Sequence, residues 1–358
     1  MTRIAVLMSG GVDSSGAALV LKQAGHDLMG LTARMFGGAS KCCGDDDIYR
    51  AQRVCHKLGI PHRVLDLGRE FDRLVIAGFV ESYVEGLTPN PCSICNSEIK
   101  FGAMLAAARR FGFERLASGH YARLEKVGDK LVFAEPADRR KSQAYFLALV
   151  PQQILASLEF PLASLEKRDV RAMVEAAGLP ARETESQDLC FIVSGKYEDM
   201  LKARAVWPGP GDVLDPDGKV VARHRGHMAY TVGQRFGVGG RRLYVLSKRA
   251  SRNEITVGDR GRTLMRSITA RPVNYFSGVE TGPGSVVSVK YRYNSPPVGA
   301  VITEECGDHI TVLLDEPGFA PAPGQILACY KDDLLICGGT IAETEEAHVG
   351  SRENPLSR

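Results

Sequence analysis

Through its first part the chain alternates short apolar runs with stretches of helical spacing. The runs at 3–8, 27–33, 62–66 and 114–118 predict strands, and the patterns over 14–24, 46–58, 69–84 and 98–111 predict helices. Such alternation argues for an α/β unit with a parallel sheet covered on both faces, whose ligands bind beyond the carboxyl ends of the strands. A hairpin is expected over 121–134 with Gly128-Asp129 at its turn, and 142–176 reads as helix again, in two or three short pieces. The texture changes after about residue 194. From Pro208-Gly209-Pro210-Gly211 onward Gly and Pro become frequent, helical periodicity fades, and Asp215-Pro216-Asp217-Gly218 is a hairpin turn signal. Between 268 and 346, β-branched and polar residues alternate between turns, as in Val286-Val287-Ser288-Val289-Lys290, which predicts a small antiparallel barrel. The expected units are therefore 1–194, a small mostly-β unit over 195–267, a C-terminal β-barrel over 268–346 and a flexible tail over 347–358, with no internal repeat.

Composition adds limits. The 358 residues, 44% hydrophobic and 24% charged, suit an ordinary globular protein of two or three domains. No apolar run is long enough for a membrane span and no secretory leader is visible, so a cytoplasmic protein with no membrane partner is expected. Net charge is only +3, but Arg139-Arg140-Lys141, Arg223 to Arg225, Arg241-Arg242 and Lys248-Arg249 concentrate positive charge mid-chain, as a solvated surface or as phosphate contacts. Nine cysteines, odd in number and irregularly spaced, do not form a disulfide framework. Cys306, Cys329 and Cys337 read as plain packing residues, while Cys42, Cys43 and Cys55 carry no assignment. Cys42-Cys43-Gly44-Asp45-Asp46-Asp47 reads as a polar loop capping the helix from 46 rather than a metal cluster.

The first candidate chemistry lies where the strand Ile4-Ala5-Val6-Leu7-Met8 meets Ser9-Gly10-Gly11-Val12-Asp13-Ser14-Ser15. Glycines permit a tight turn that points successive N–H groups at an anion, and the helix opening at Ser14 favours the same negative charge. The spacing is neither that of the Walker loop nor that of the dinucleotide fingerprint. A strand-to-helix turn without a ligand is the plain alternative. Ser-Gly-Gly-x-Asp-Ser resembles the pyrophosphate loop of enzymes that split ATP into AMP and pyrophosphate while adenylating a substrate.

The second candidate is sulfur. Thr88-Pro89-Asn90-Pro91-Cys92-Ser93-Ile94-Cys95-Asn96 predicts an extended loop before a helix beginning near Ser97, where the helix dipole and Lys100 favour a thiolate. No second Cys-x-x-Cys exists to complete a zinc site, and a redox pair normally follows a strand rather than a Pro-rich loop. Ser186-Gln187-Asp188-Leu189-Cys190-Phe191 alone would be a buried cysteine in a short strand. These segments occur in order with Ile99-Lys100-Phe101, Ser118-Gly119-His120-Tyr121-Ala122-Arg123, Lys141-Ser142-Gln143-Ala144-Tyr145-Phe146-Leu147, Tyr230-Thr231-Val232-Gly233-Gln234-Arg235 and Tyr291-Arg292-Tyr293. Taken together they resemble the bacterial tRNA-specific 2-thiouridylase family over nearly the whole chain.

That resemblance implies a Rossmann-like PP-loop unit of the adenine nucleotide alpha hydrolase type, followed by a central tRNA-binding unit and the barrel. It implies a sulfurtransferase that adenylates the C2 oxygen of the wobble uridine in the tRNA anticodon stem-loop with ATP and then replaces it with sulfur. Cys95 would be the nucleophile and Cys190 the persulfide carrier, charged by an upstream sulfur donor or relay protein. Leu7, Met8, Ser9, Gly10, Gly11, Val12, Asp13, Ser14, Ala33 and Gly119 would bind the nucleotide, with Asp13 positioning Mg²⁺ on the pyrophosphate. Asn90, Pro91, His120, Lys141, Ser142, Gln143, Arg292 and Tyr293 would meet the tRNA, though His120 reads equally as a structural histidine. Cys92 stands where many family members have a proton-transferring Asp. It reads either as a base or, with Cys95 and Cys190, as a ligand of a [4Fe-4S] cluster. The alternatives are another ligase or tRNA modifier with the same loop, and a non-catalytic iron–sulfur or RNA-binding protein.

Overall fold

The computed structural model describes residues 1–35, 44–182, 189–192 and 197–346. The expected tail, Cys42, Cys43 and Ser186-Gln187-Asp188 lie outside the described residues. The first unit runs β1 (Arg3–Leu7), α1 (Val12–Gln23), β2 (Asp27–Arg34), α2 (Asp45–Lys57) and β3 (His62–Asp66). A continuous helical stretch follows, with α3 (Gly68–Phe71) and α4 (Ala77–Val84) joined by a widened i→i+5 turn at Asp72–Ile76. A second one holds α5 (Pro91–Ile94), a widened Cys95–Ala103 and α6 (Met104–Arg110), before β4 (Arg115–Ala117). Next come a hairpin, β5 (Arg123–Val127) and β6 (Lys130–Ala134), then β7 (Leu158–Glu159) and α7 (Lys167–Ala176). The parallel sheet has the order β3-β2-β1-β4-β7. Its order reverses at β1, flanked by β2 and β4, so the crevice beyond the carboxyl end of β1 is where ligands collect in such sheets.

Two features of this unit differ from the sequence expectation. The stretch 142–176 holds two tight 3₁₀ turns, Ala144–Leu147 and Gln152–Ser157, and a two-residue strand before its one α-helix. The strand is too short to leave a period in the sequence. The cysteine helix starts at Pro91, six residues before the expected Ser97. Asn90 caps it, its side-chain oxygen accepting the Ser93 N–H at 3.2 Å, with Pro at the first helical position.

The central unit opens with α8 (Tyr197–Arg204), which the sequence reading did not anticipate, and continues through β8 (Gly211–Leu214), β9 (Val220–His224), β10 (Arg235–Val238), β11 (Arg241–Arg249) and β12 (Glu254–Gly258). The expected turn joins β8 to β9, with the Gly218 N–H donating to Asp215 O. A small core of Val213, Leu243, Val245, Ile255 and Val257 holds this sheet. The last unit comprises β13 (Leu264–Tyr275), β14 (Val286–Lys290), β15 (Val298–Cys306), β16 (His309–Phe319), β17 (Ile326–Lys331) and β18 (Leu334–Glu346), closed into a barrel by pairing of β13 with β18. Cys329 and Cys337 are buried there, register partners on adjacent strands, and Cys306 is exposed.

The β5–β6 hairpin belongs to the first unit in sequence but extends the barrel sheet, β6 meeting β18 at Ala134 and Leu334. Phe133 lies edge-on to Phe160 of the first unit and to Phe276 of the barrel, each at 5.6 Å between ring centres. One apolar core thus runs from Ala5 and Leu31 through Phe101 and Phe133 to Ile326 and Leu335. Burial on this scale, at roughly 25 cal/mol per Å² of apolar surface, fixes the barrel to the first unit.

Candidate active site

Leu7 ends β1, and Met8 continues its pairing by donating to Leu31 O at 2.8 Å. The chain then turns through Ser9 and Gly10 into α1. Gly10 has φ +72°, and a Cβ there would lie 2.7 Å from Asp47 O and 2.9 Å from Arg50 Cβ, so α2 presses against the turn. Gly11 occupies the N-cap without a side-chain cap. Ser14 Oγ donates to Gly11 O at 3.0 Å and accepts the Ser9 N–H at 3.2 Å, stiffening the loop from inside. Behind it Asp47, only 2% exposed, pairs with Arg50 at 2.7 Å and Arg182 at 3.2 Å. The Arg182 backbone in turn brackets the loop, donating to Gly10 O and accepting from Val12 N. Asp47, in the acidic first turn of α2, therefore braces the loop as well as helping to open a helix. The Ser9 and Val12 N–H groups are engaged inside the protein. A glycine turn at a helix start whose N-cap residue supplies no side-chain cap is suited to presenting its remaining backbone N–H groups to an anion.

Asp13 lies in the first turn of α1. Lys167 Nζ donates to both its carboxylate oxygens, at 2.6 and 2.7 Å, and the Tyr121 hydroxyl donates to Oδ1 at 3.2 Å. Lys167 is buried at the start of α7, where its backbone N–H donates to the buried Asp138 carboxylate. Sequence reading missed Lys167. A lysine far from any motif leaves no local signal.

The turn after β4 joins this loop to the cysteines. A Cβ on Gly119 would lie 2.6–2.7 Å from the Asp13–Ser14 peptide, so the two backbones are in contact. His120 Nδ1 pairs with Ser118 Oγ at 2.9 Å and Nε2 faces Lys100 Nζ at 3.5 Å, while its ring packs on Phe101. Burial, then the Lys100 charge, holds this imidazole well below its ordinary pKa, so it is neutral. Lys100 and Phe101 belong to the widened helix that begins at Cys95. Ala33 closes the crevice at the carboxyl end of β2, buried.

Cys95 is buried and Cys92 half-buried at the start of the cysteine helix. This helix packs on the widened turn of the 68–84 stretch. Phe191, next to the half-buried Cys190, stacks edge-on against Phe79 at 5.2 Å and Phe71 at 6.1 Å of that same stretch. Cys95 and Cys190 are thus mounted on one platform, though ninety-odd residues apart in sequence. Among the described residues no three His, Cys, Asp or Glu side chains group closely enough to hold a metal ion.

The approach to the cysteines is clamped from both later units. His227 Nε2 meets Val84 O at 3.1 Å, and Lys248 Nζ donates to Leu87 O and Tyr230 O at 3.1 and 3.0 Å, its pKa pushed down to about 7 by burial. From the barrel, Gln325 Nε2 donates to Thr88 O and Pro89 O, and Thr88 N–H donates to Pro323 O. Tyr145 OH donates to Ile326 O at 3.0 Å, and Asn96 Nδ2 to Phe146 O at 3.1 Å.

The residues expected at the tRNA divide by burial. Pro91, His120 and Ser142 are buried, and Gln143 exchanges hydrogen bonds with the Tyr121 backbone. Arg292 donates to Ala320 O beside the Phe319 ring, and Tyr293 lies 4.4 Å from Phe146 between ring centres. Lys141 is half-buried and, with Arg140, Arg168 and Arg171 on one side of the charge balance and Asp138, Glu166 and Glu175 on the other, lines a hollow over the start of α7.

Burial also holds His62 and His224 below the ordinary value. With folded pKa values lowered, the unfolded chain binds more protons below about pH 6.5, so stability is lost as pH falls through that point. Chemical denaturation as a function of pH should show this loss, and His120→Gln should reduce its slope by up to about 1.4 kcal/mol per pH unit. An unchanged slope would show that His120 is not held neutral.

Three family models match successive parts of the chain. The tRNA methyl transferase HUP domain covers residues 2–194, the tRNA methyl transferase PRC-barrel domain 198–259 and the aminomethyltransferase beta-barrel domain 265–341. The chain is 40% identical over 352 residues to tRNA-specific 2-thiouridylase MnmA of Moorella thermoacetica, covering 94% of this chain and 98% of that one. It is 40% identical over 376 residues to the protein of that name from a Roseiflexus species, covering 96% and 100%. The Acidithiobacillus ferrooxidans protein of that name is 37% identical over 346 residues, covering 95% and 98%. No helix among the described residues is long and apolar enough to cross a membrane.

Proposed function

The chain belongs to the tRNA-specific 2-thiouridylase family, and from that premise we propose that it exchanges the C2 oxygen of the wobble uridine of tRNA for sulfur through adenylation and a cysteine persulfide. A carbonyl oxygen leaves poorly. ATP, carried with Mg²⁺ on its phosphates, supplies an adenylyl group that makes it a leaving group. Gly10, Gly11, Val12 and Ser14 wrap the pyrophosphate, while the Asp13 carboxylate is held by Lys167 and Tyr121, with Gly119 fixing the loop and Ala33 walling the nucleotide side. The single observation that carries this reading is the Ser118–Tyr121 turn. It touches the phosphate loop through Gly119 and Tyr121, and the cysteine helix through the His120–Lys100 contact.

In the second half-reaction Cys190 carries the terminal sulfur of a persulfide, delivered by a sulfur donor or relay protein. That sulfur bonds to C2 and AMP departs. The Cys95 thiolate then attacks Sγ of Cys190, releasing the thiocarbonyl and leaving a Cys95–Cys190 disulfide, which an external thiol reduces. Cys92, in the first turn of a helix, is the candidate for taking up a proton beside this site. Lys141 and its basic neighbours around the hollow, with Arg292 and Tyr293, are assigned to tRNA contact, while Asn90, Pro91, Ser142 and Gln143 shape the site through the backbone.

Incubation with unmodified tRNA, Mg-ATP and a persulfide donor should give tRNA-dependent AMP and pyrophosphate, with 2-thiouridine detected in the digested nucleosides. Formation of ADP, or thiolation without ATP, would overturn the reading.

A further inference from the structure

Asp13 places a carboxylate in the first turn of α1, against the loop that holds the phosphates, where it would repel them. Lys167 answers it from α7: its ammonium is 2.6 and 2.7 Å from the two carboxylate oxygens, and the side chain is only 9% exposed. Tyr121 completes the carboxylate's shell, 3.2 Å from Oδ1, and the Lys167 ammonium lies 5.8 Å from the centre of the Tyr121 ring. Both carboxylate oxygens accept from a cation belonging to the chain, and Oδ1 accepts from Tyr121 as well, so the charge a Mg²⁺ ion would neutralise is already balanced.

We propose that Lys167 is a positioning residue that cancels the charge of Asp13, so that the loop accepts pyrophosphate without a metal on Asp13. The proposal rests on the reading of Ser9–Ser14 as the pyrophosphate loop. Under it, Asp13 orients the site through Lys167 and Tyr121, and Mg²⁺ enters on the nucleotide.

The test is a charge cycle read by calorimetric binding of pyrophosphate in chelator, with the full chain. Lys167→Met leaves the half-buried Asp13 charge uncompensated beside the phosphates and should weaken binding at least about tenfold. The double variant Asp13→Asn with Lys167→Met removes both charges and should restore binding to near that of the unaltered chain. Added Mg²⁺ should rescue Lys167→Met but change the double variant little. Failure of the double variant to recover, with its thermal transition intact, would overturn the proposal, because Lys167 or Asp13 would then act directly on phosphate or metal. A double variant whose thermal transition is lost would do the same, the pair then being needed for folding. If the unaltered chain binds neither ATP nor pyrophosphate, the reading of the loop itself fails.

Discussion

Cys95→Ser is expected to reduce thiolation of tRNA to background while leaving ATP binding unchanged. The two chemistries occupy separate elements: the phosphate loop rests on β1, α2 and Arg182, and Cys95 on the helix that packs against the 68–84 stretch. A serine hydroxyl at neutral pH is not a nucleophile toward sulfur, and it changes little in volume. The loss in sulfur transfer should therefore exceed about a thousandfold without loss of fold. Cys190→Ser should do the same and should also abolish formation of a protein persulfide, seen as the loss of a sulfur adduct by intact mass. Thiolation by either variant above a tenth of the normal rate would dismiss the persulfide route.

Gly119→Ala is expected to act on the other half. Its Cβ would stand 2.6–2.7 Å from backbone atoms of Asp13 and Ser14, and backbone cannot swing aside as a long side chain would. Either the β4 turn or the start of α1 must shift by several tenths of an ångström. Overpacking of this kind costs about 1–3 kcal/mol. The displaced atoms belong to the loop, so ATP affinity should fall at least about tenfold. Binding of ATP followed by calorimetry, beside the thermal transition, checks both. An alanine variant with wild-type ATP affinity would show that this contact does not set the loop.

Much of the fold was legible because its signals are local. β1 to β3, the hairpin turn at Gly128-Asp129 and the barrel strands each carry a period or a turn residue in their own few positions. β7 was not legible, since two residues carry no period, and α8 was missed in a stretch read as β-rich. The early start of the cysteine helix was present in the sequence as Asn90 followed by Pro91, a cap and a first-turn proline that were read as loop residues. At the candidate site, the loop glycines, Cys95, Cys190 and the Ser118–Tyr121 turn carry motifs that single them out in the sequence. Lys167, Arg182, Lys248 and Gln325 do not. Each meets its partner across a long stretch of chain, and such pairings exist only once the fold has formed.

The β5–β6 hairpin interrupts the first unit between the Ser118–Tyr121 turn and Lys141, yet its hydrogen bonding is completed by β18. The nucleotide unit is consequently not a module. Cut away after residue 194, it would expose one face of Phe133 and the free edge of β6, an adhesive border of the kind that recruits other chains. A ribosome that has released only this part has made a segment still waiting for the last strand to arrive. The order of synthesis thus leaves the first unit unfinished until the barrel closes.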